Sequence, residues 1–280
     1  MNLRLIVLMT AMTLLLMLCG NLIGGQQGML MALIFAAIMN FGSYFLSGRI
    51  IKAKYGLKEV DHGELYEVVS ELVRVNNLPM PQVFIIPKGI MGSNAFAFTT
   101  SVSNPPGVAA SEELLQLLSR EELKGVMAHE LTHVRNRDVL IGTIVATLAG
   151  AIAMLANMAK WAAIFGGGRN SDGERSNGLG MLAMAILAPV AAMVIQMAVS
   201  RSREYKADEG GARLCGNPHY LADALGKLQM YNQSASRPNA DPTTAHMFIV
   251  SPLTGSSFAS LFSTHPPVEE RIARLEQMAM

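Results

Sequence analysis

Charge is scarce in this chain of 280 residues: 15% are Asp, Glu, Lys or Arg, against about 25% in an ordinary soluble domain. Apolar residues reach 51% and mean hydropathy is +0.32, so much of the chain calls for an apolar solvent. A net charge of +1 excludes nucleic-acid binding through a strong positive field. No basic cluster interleaved with aromatics occurs either, so no nucleic-acid partner is expected. Cysteine is nearly missing. Cys19 and Cys215 lack metal-type spacing and lie in segments of opposite character, which excludes a disulfide framework and a cysteine-bound metal. No internal repeat is present.

What the chain does have is four uncharged apolar runs, residues 5–23, 29–46, 139–159 and 179–199, each long enough to cross a bilayer as a helix. Arg4 precedes the first as in a signal peptide, but a second run follows after only residues 24–28, which predicts a retained hairpin over 1–48. The other two predict a second hairpin over 139–199. Lacking internal ionisable residues, the runs offer no ion path, which argues against a transporter or channel. Counting four spans places Arg49, Lys52, Arg135, Arg137, Arg201 and Lys206 on one side, expected to be cytoplasmic. The connection 166–178 mixes both signs of charge and reads as a flexible outer loop, with Lys160 and Trp161 as an interfacial anchor.

The polar remainder, 49–138 and 200–280, reads as one cytosolic domain in two parts. Periodicity predicts helices over 62–76 and 112–118 and strands over 82–86, 94–98 and 107–110. This is a mainly α fold with a small sheet, an α+β arrangement. Small and aromatic residues alternate along Asn94, Ala95, Phe96, Ala97 and Phe98. The run is a candidate edge strand to which an extended peptide could add; the competing reading is a core hairpin. Residues 233–241 read as a loop, and His246 as structural or exposed.

Chemistry concentrates in residues 119–138. Ser119 with Glu122 three positions on forms a capping box, and Leu123, Val126, Met127, Leu131 and Val134 make one buried face. On that helix His129 and His133 lie one turn apart, so both rings leave the same side and can bind one metal ion, with Glu130 between them and the buried stripe. Zinc takes imidazole nitrogen at about 2.0–2.1 Å, and in catalytic sites it keeps a position open for water. Glu130 is then the expected acceptor of that water's proton. Charged neighbours bracketing the motif argue against an intramembrane protease.

Past the fourth run, Glu204 and Asp208 stand four apart on one helical face. Glu204 is the expected third ligand, Asp208 a carboxylate able to fix a ligand histidine's tautomer, and Glu209 the rival ligand. The bland alternative is a solvated helix of surface ion pairs. At the C-terminus, Pro266 and Pro267, then acidic residues and later arginines, predict a final helix over 268–275 that closes the domain, with His265 at its start.

Taken together, Asn94-Ala-Phe-Ala97, Leu118 through His133, Asn136-Arg-Asp138, Ser202 through Asp208, Thr264-His-Pro-Pro267 and the two hairpins resemble the HtpX-type heat-shock membrane endopeptidases of bacteria, in the M48 metalloproteases. The resemblance covers nearly the whole chain. It implies a gluzincin-like protease domain on four transmembrane helices and one zinc ion held by His129, His133 and Glu204. It also implies Glu130 as general base, Asp208 behind a ligand, and His265 in the active-site region as an oxyanion stabiliser. It further implies a multi-pass protein of the bacterial inner membrane that cleaves damaged or misfolded membrane proteins at the cytosolic face in stress quality control. The alternative is a noncatalytic, metal-stabilised membrane holdase that binds unfolded segments along the 94–98 strand.

Overall fold

A computed structural model describes residues 3–98, 105–165, 178–234, 248–250 and 265–279. Of the loops read at 166–178 and 233–241, residues 166–177 and 235–241, with His246, lie outside the described residues, whereas Gly178, Gln233 and Ser234 are helical. The chain divides into two compact units, Met1–Ser43 with Ile141–Val199, and Tyr44–Leu140 with Ser200–Met280. Most of the chain is helical, with one small sheet.

The first unit is built from parts of three helices: α1 (Leu3–Tyr55), α5 (Asp138–Phe165) and α6 (Gly178–Cys215). Although α1 is helical from end to end, the chain doubles back inside it. A Cβ added at Gly20 would lie 2.8 Å from the Cα of Met29, whereas nine residues of straight helix rise about 13.5 Å. Gly25, at φ 57°, supplies the left-handed turn. Met12, Leu16 and Cys19 then pack with Val145, Ile152, Leu155, Ala188 and Ala192. Ile186, Leu187, Val190 and Val194 stay exposed, as a lipid-facing surface requires. Among the described residues two helices are long and apolar enough to cross a membrane, Asp138–Lys160 and Ala183–Cys215; Thr10–Asn21 is a shorter apolar helix.

The second unit holds a four-stranded sheet in the order β1-β2-β4-β3, where β1 is Lys58–Glu59, β2 Gln82–Ile86, β3 Ala95–Phe98 and β4 Gly107–Ser111. β2 and β4 are parallel, and β1 and β3 join antiparallel as the two edges. Side chains alternate strictly. Val83, Ala95, Val108 and Ala110 face the main core, whereas Phe84, Phe96, Phe98 and Ala109 face a second cluster with Tyr55 and Phe248. The main core is completed by α2 (Glu64–Val75), α3 (Glu112–Leu117), α4 (Arg120–Asn136), α7 (Pro218–Ser234) and α8 (Val268–Glu276). β1 and α7 carry too weak a periodic signal to be read from sequence.

Two details of α4 position the chemistry. Its N-terminus closes with the full Ser119–Glu122 capping box. At its other end the sequence pattern would let the metal helix run on through Asp138 into the third apolar run, but Arg137 adopts φ 57°, ψ 36°, and α5 starts afresh at Asp138. Gly211 lets α6 approach closely, since a Cβ there would sit 2.8 Å from the backbone nitrogen of His129.

Candidate metal centre

α4 presents His129 and His133 with their Nε2 atoms 3.0 Å apart. α6 brings in Glu204, whose carboxylate oxygens stand 3.6 Å from Nε2 of His129 and 3.5 Å from Nε2 of His133. Three donors on a tetrahedral shell of zinc radius are about 3.3 Å apart, so the triplet has the spacing of a metal site.

Proton placement points the same way. Nδ1 of His129 faces Asp208 at 3.0 Å, and Nδ1 of His133 is hydrogen-bonded to Asp138 at 2.8 Å. A carboxylate on each Nδ1 holds the ring proton there, leaving two Nε2 lone pairs and a carboxylate converging on one point. Such a donor set fits a divalent cation. Without one, charge is balanced by protons. Burial lowers the pKa of His133, but Glu204, the hydrogen bond to Asp138 and the charge of Glu130 outweigh it and bring the ring to about 9.

Glu130 is buried beside the histidines, 4% exposed, and near enough for its charge to act on both His133 and Arg271. His265 also reaches the site. Its Nδ1 lies 3.2 Å from Oε2 of Glu204, which the residues alone, read as a helix start, do not disclose. Glu209, the rival ligand, points away: its side chain is 56% exposed and pairs with Arg213 at 3.0 Å.

Asn94 lies just outside the strand. It precedes β3, is buried, and spends its side-chain oxygen on the backbone N–H of Ile249 at 3.1 Å. Ala95, Phe96 and Ala97 do lie on an edge strand, but the side chains of Ala95 and Phe96 are buried, so a peptide added there would meet main chain.

Arg271 was missed. It is fully buried, forks onto Asp208 at 2.6 and 2.8 Å, donates to the carbonyl of Ile249, and lies 3.8 Å from Glu204. Burial opposes its charge, but Asp208 and Glu204 more than compensate and raise its pKa. The available signal was position: Arg271 falls on the buried stripe of α8 between Val268 and Leu275, where a cation needs a partner.

Residues 59–279 match the family described as Peptidase family M48. The chain is 57% identical over 279 residues to a protein named Protease HtpX homolog from Syntrophotalea carbinolica, covering 100% of this chain and 99% of the relative. A second Protease HtpX homolog, from Desulforapulum autotrophicum, is 55% identical over 98% of this chain and 89% of the relative. Among solved structures, the crystal structure of S. mikatae Ste24p aligns with TM-score 0.61 at 18% identity. The alignment covers 95% of this chain and 62% of the length of that one, a likeness of fold.

Proposed function

The chain belongs to peptidase family M48 and is a membrane metallopeptidase, and from that premise we propose that it is a zinc endopeptidase of the inner membrane acting on damaged or misfolded membrane proteins at the cytosolic face. One observation carries the catalytic part: Nε2 of His129, Nε2 of His133 and a carboxylate oxygen of Glu204 converge with Glu130 buried alongside.

His129, His133 and Glu204 hold the ion, and zinc, when bound, polarises a peptide carbonyl and lowers the pKa of water toward about 7. Glu130 takes the proton of the attacking water and delivers it to the leaving amine. Asp208 keeps the proton of His129 on Nδ1, and Arg271 keeps Asp208 ionised. His265, whose Nδ1 lies 3.2 Å from Oε2 of Glu204, is the residue we assign to donate to charge developing on the substrate oxygen.

The substrate reading has two supports. Among the described residues β3 ends the sheet, an edge that an unfolded, extended segment could join through main-chain bonds, with contact along 95–97. Asp138, bonded to His133, opens the apolar helix α5 and Glu204 lies on α6, so the metal site is joined directly in sequence to membrane-type helices. Four membrane spans in two hairpins, with the basic flanks inside, complete the proposed topology.

The test is cleavage of an unfolded model substrate by detergent-purified wild type, Glu130→Gln and Glu204→Ala, with bound zinc quantified in each. Cleavage by wild type alone is expected, with zinc retained in Glu130→Gln and lost from Glu204→Ala. Normal cleavage by Glu130→Gln would overturn the assignment of the base, and a zinc-loaded wild type inert on every unfolded substrate would favour a binding protein.

A further inference from the structure

Both ligand histidines have a carboxylate behind them, but only one of the two carboxylates lies where the ligand spacing would suggest looking. The other is Asp138, five residues after His133 and on the far side of a helix break. We propose that Asp138 is a positioning residue that orients His133 and ties the two metal-binding helices together. The inference rests on reading the site as a metal centre.

Three observations carry it. First, Asp138 is buried, 6% exposed, and its carboxylate accepts from Nδ1 of His133 at 2.8 Å. At the mouth of an apolar helix a buried carboxylate needs a specific partner, and the histidine is that partner. Second, the backbone is bent to bring it there. Had α4 continued straight, position 138 would lie more than a turn beyond His133, facing another direction. Instead Arg137 takes the left-handed conformation, disfavoured for a residue with a Cβ, and its N–H caps the carbonyls of His133 and Val134. That single residue turns the chain so that Asp138 folds back onto the ring.

Third, Asp138 is held from the other helix as well. The guanidinium of Arg203 donates through Nη1 to the main-chain carbonyl of Asp138, and Arg203 immediately precedes Glu204 on α6. One residue thus receives a bond from the neighbour of the third ligand and gives its side chain to the second. The distance between His133 and Glu204 is set through it.

The experiment is zinc affinity, measured by competition with a chromogenic chelator on full-length protein in detergent, together with the visible spectrum after cobalt loading. Asp138→Asn and Asp138→Ala should each bind zinc about 10–100-fold more weakly than wild type and shift the cobalt bands, as loss of an outer carboxylate does elsewhere. Their metal-free melting should fall only by what the lost Asp138–His133 hydrogen bond contributes, less than the loss of zinc affinity, which separates ligand positioning from general damage to the fold. Arg137→Gly, which adopts the left-handed turn freely, should keep wild-type zinc affinity, whereas Arg137→Val, which resists it, should weaken zinc as the Asp138 variants do. Wild-type affinity and an unchanged cobalt spectrum in both Asp138 variants would overturn the proposal. So would a fall in zinc affinity that follows a matching fall in metal-free melting in all the weakened variants. Zinc-loaded wild type that cleaves nothing would defeat the endopeptidase reading instead and leave the role of Asp138 standing.

Discussion

Arg271 and Asp208 form a fully buried fork, Nη2 to Oδ1 at 2.6 Å and Nε to Oδ2 at 2.8 Å, and the same carboxylate faces Nδ1 of His129 at 3.0 Å. An arginine at the end of the chain thereby reaches the metal site through one intermediary. Replacing it with Met strands a buried carboxylate, a change that costs about 3–5 kcal/mol when one partner of a buried pair is lost. Arg271→Met should therefore unfold at lower denaturant and bind zinc more weakly. Arg271→Lys, which keeps the charge but not the fork, should fall between. Denaturant melts of the metal-free protein distinguish the three.

The protonation of His133 makes the site sensitive to pH. Its ordinary pKa is 6.5 and in the folded, metal-free site it is about 9. A raised folded pKa gives stability that is fully present below about 6.5 and lost as pH climbs through about 9. Metal-free protein should lose this contribution across that window. Zinc binding must displace the same proton, so apparent zinc affinity should rise about tenfold per pH unit until it levels near pH 9. Titration calorimetry in buffers of different ionisation enthalpy should show one proton released near pH 7.5. A flat affinity profile would contradict the assignment.

Glu209 lies on the same helix as the proposed third ligand but on its outer side, paired with Arg213 across one turn. Exposed pairs of this kind contribute about 0.3–0.5 kcal/mol. Glu209→Gln should leave zinc content unchanged and stability nearly so, whereas Glu204→Gln should lose zinc. Metal analysis of the two side by side is the check.

Close approach of α6 to α4 depends on Gly211. A methyl group there would meet the backbone nitrogen and Cα of His129 at 2.8 and 2.9 Å, and backbone has no rotamer with which to yield. Gly211→Ala should destabilise by about 1–3 kcal/mol, as overpacking does, and should also weaken zinc binding by pushing Glu204 outward. If zinc affinity held while stability fell, the glycine would serve packing alone.

Ser119 Oγ accepts from the backbone N–H of Glu122 while the Glu122 carboxylate accepts from the backbone N–H of Ser119, and Lys227 donates to that carboxylate at 2.8 Å. Burial pushes the Glu122 carboxyl up, but Lys227 and the backbone of Ser119 keep it below its usual value. Ser119→Ala should cost about 1 kcal/mol in a thermal melt without altering cleavage at temperatures where the protein is folded.

Much of this was legible in the sequence because it is local. The capping box, the one-turn spacing of His129 and His133, and the alternation along Ala95, Phe96, Ala97 and Phe98 follow from the periods of helix and strand, which neighbouring residues alone impose. β1 escaped notice because two residues carry no period, and α7 because its apolar positions are interrupted by polar ones. The break at Arg137 escaped because nothing local demands it: an arginine in the left-handed region is tolerated only where surrounding bonds hold it there.

Sequence alone determined that one helix would offer two imidazoles and a carboxylate on adjacent positions, and that long uncharged runs would seek an apolar solvent. Only the tertiary structure decided which distant groups complete the site. It brought Glu204 and not Glu209 to the histidines, set Asp208 and Asp138 behind one ring each, and buried Arg271 against Asp208. Those choices depend on the approach of α6 to α4 and the turn at Arg137, contacts between segments far apart in the chain. A buried charge accepts such a position only when its partner is already in place.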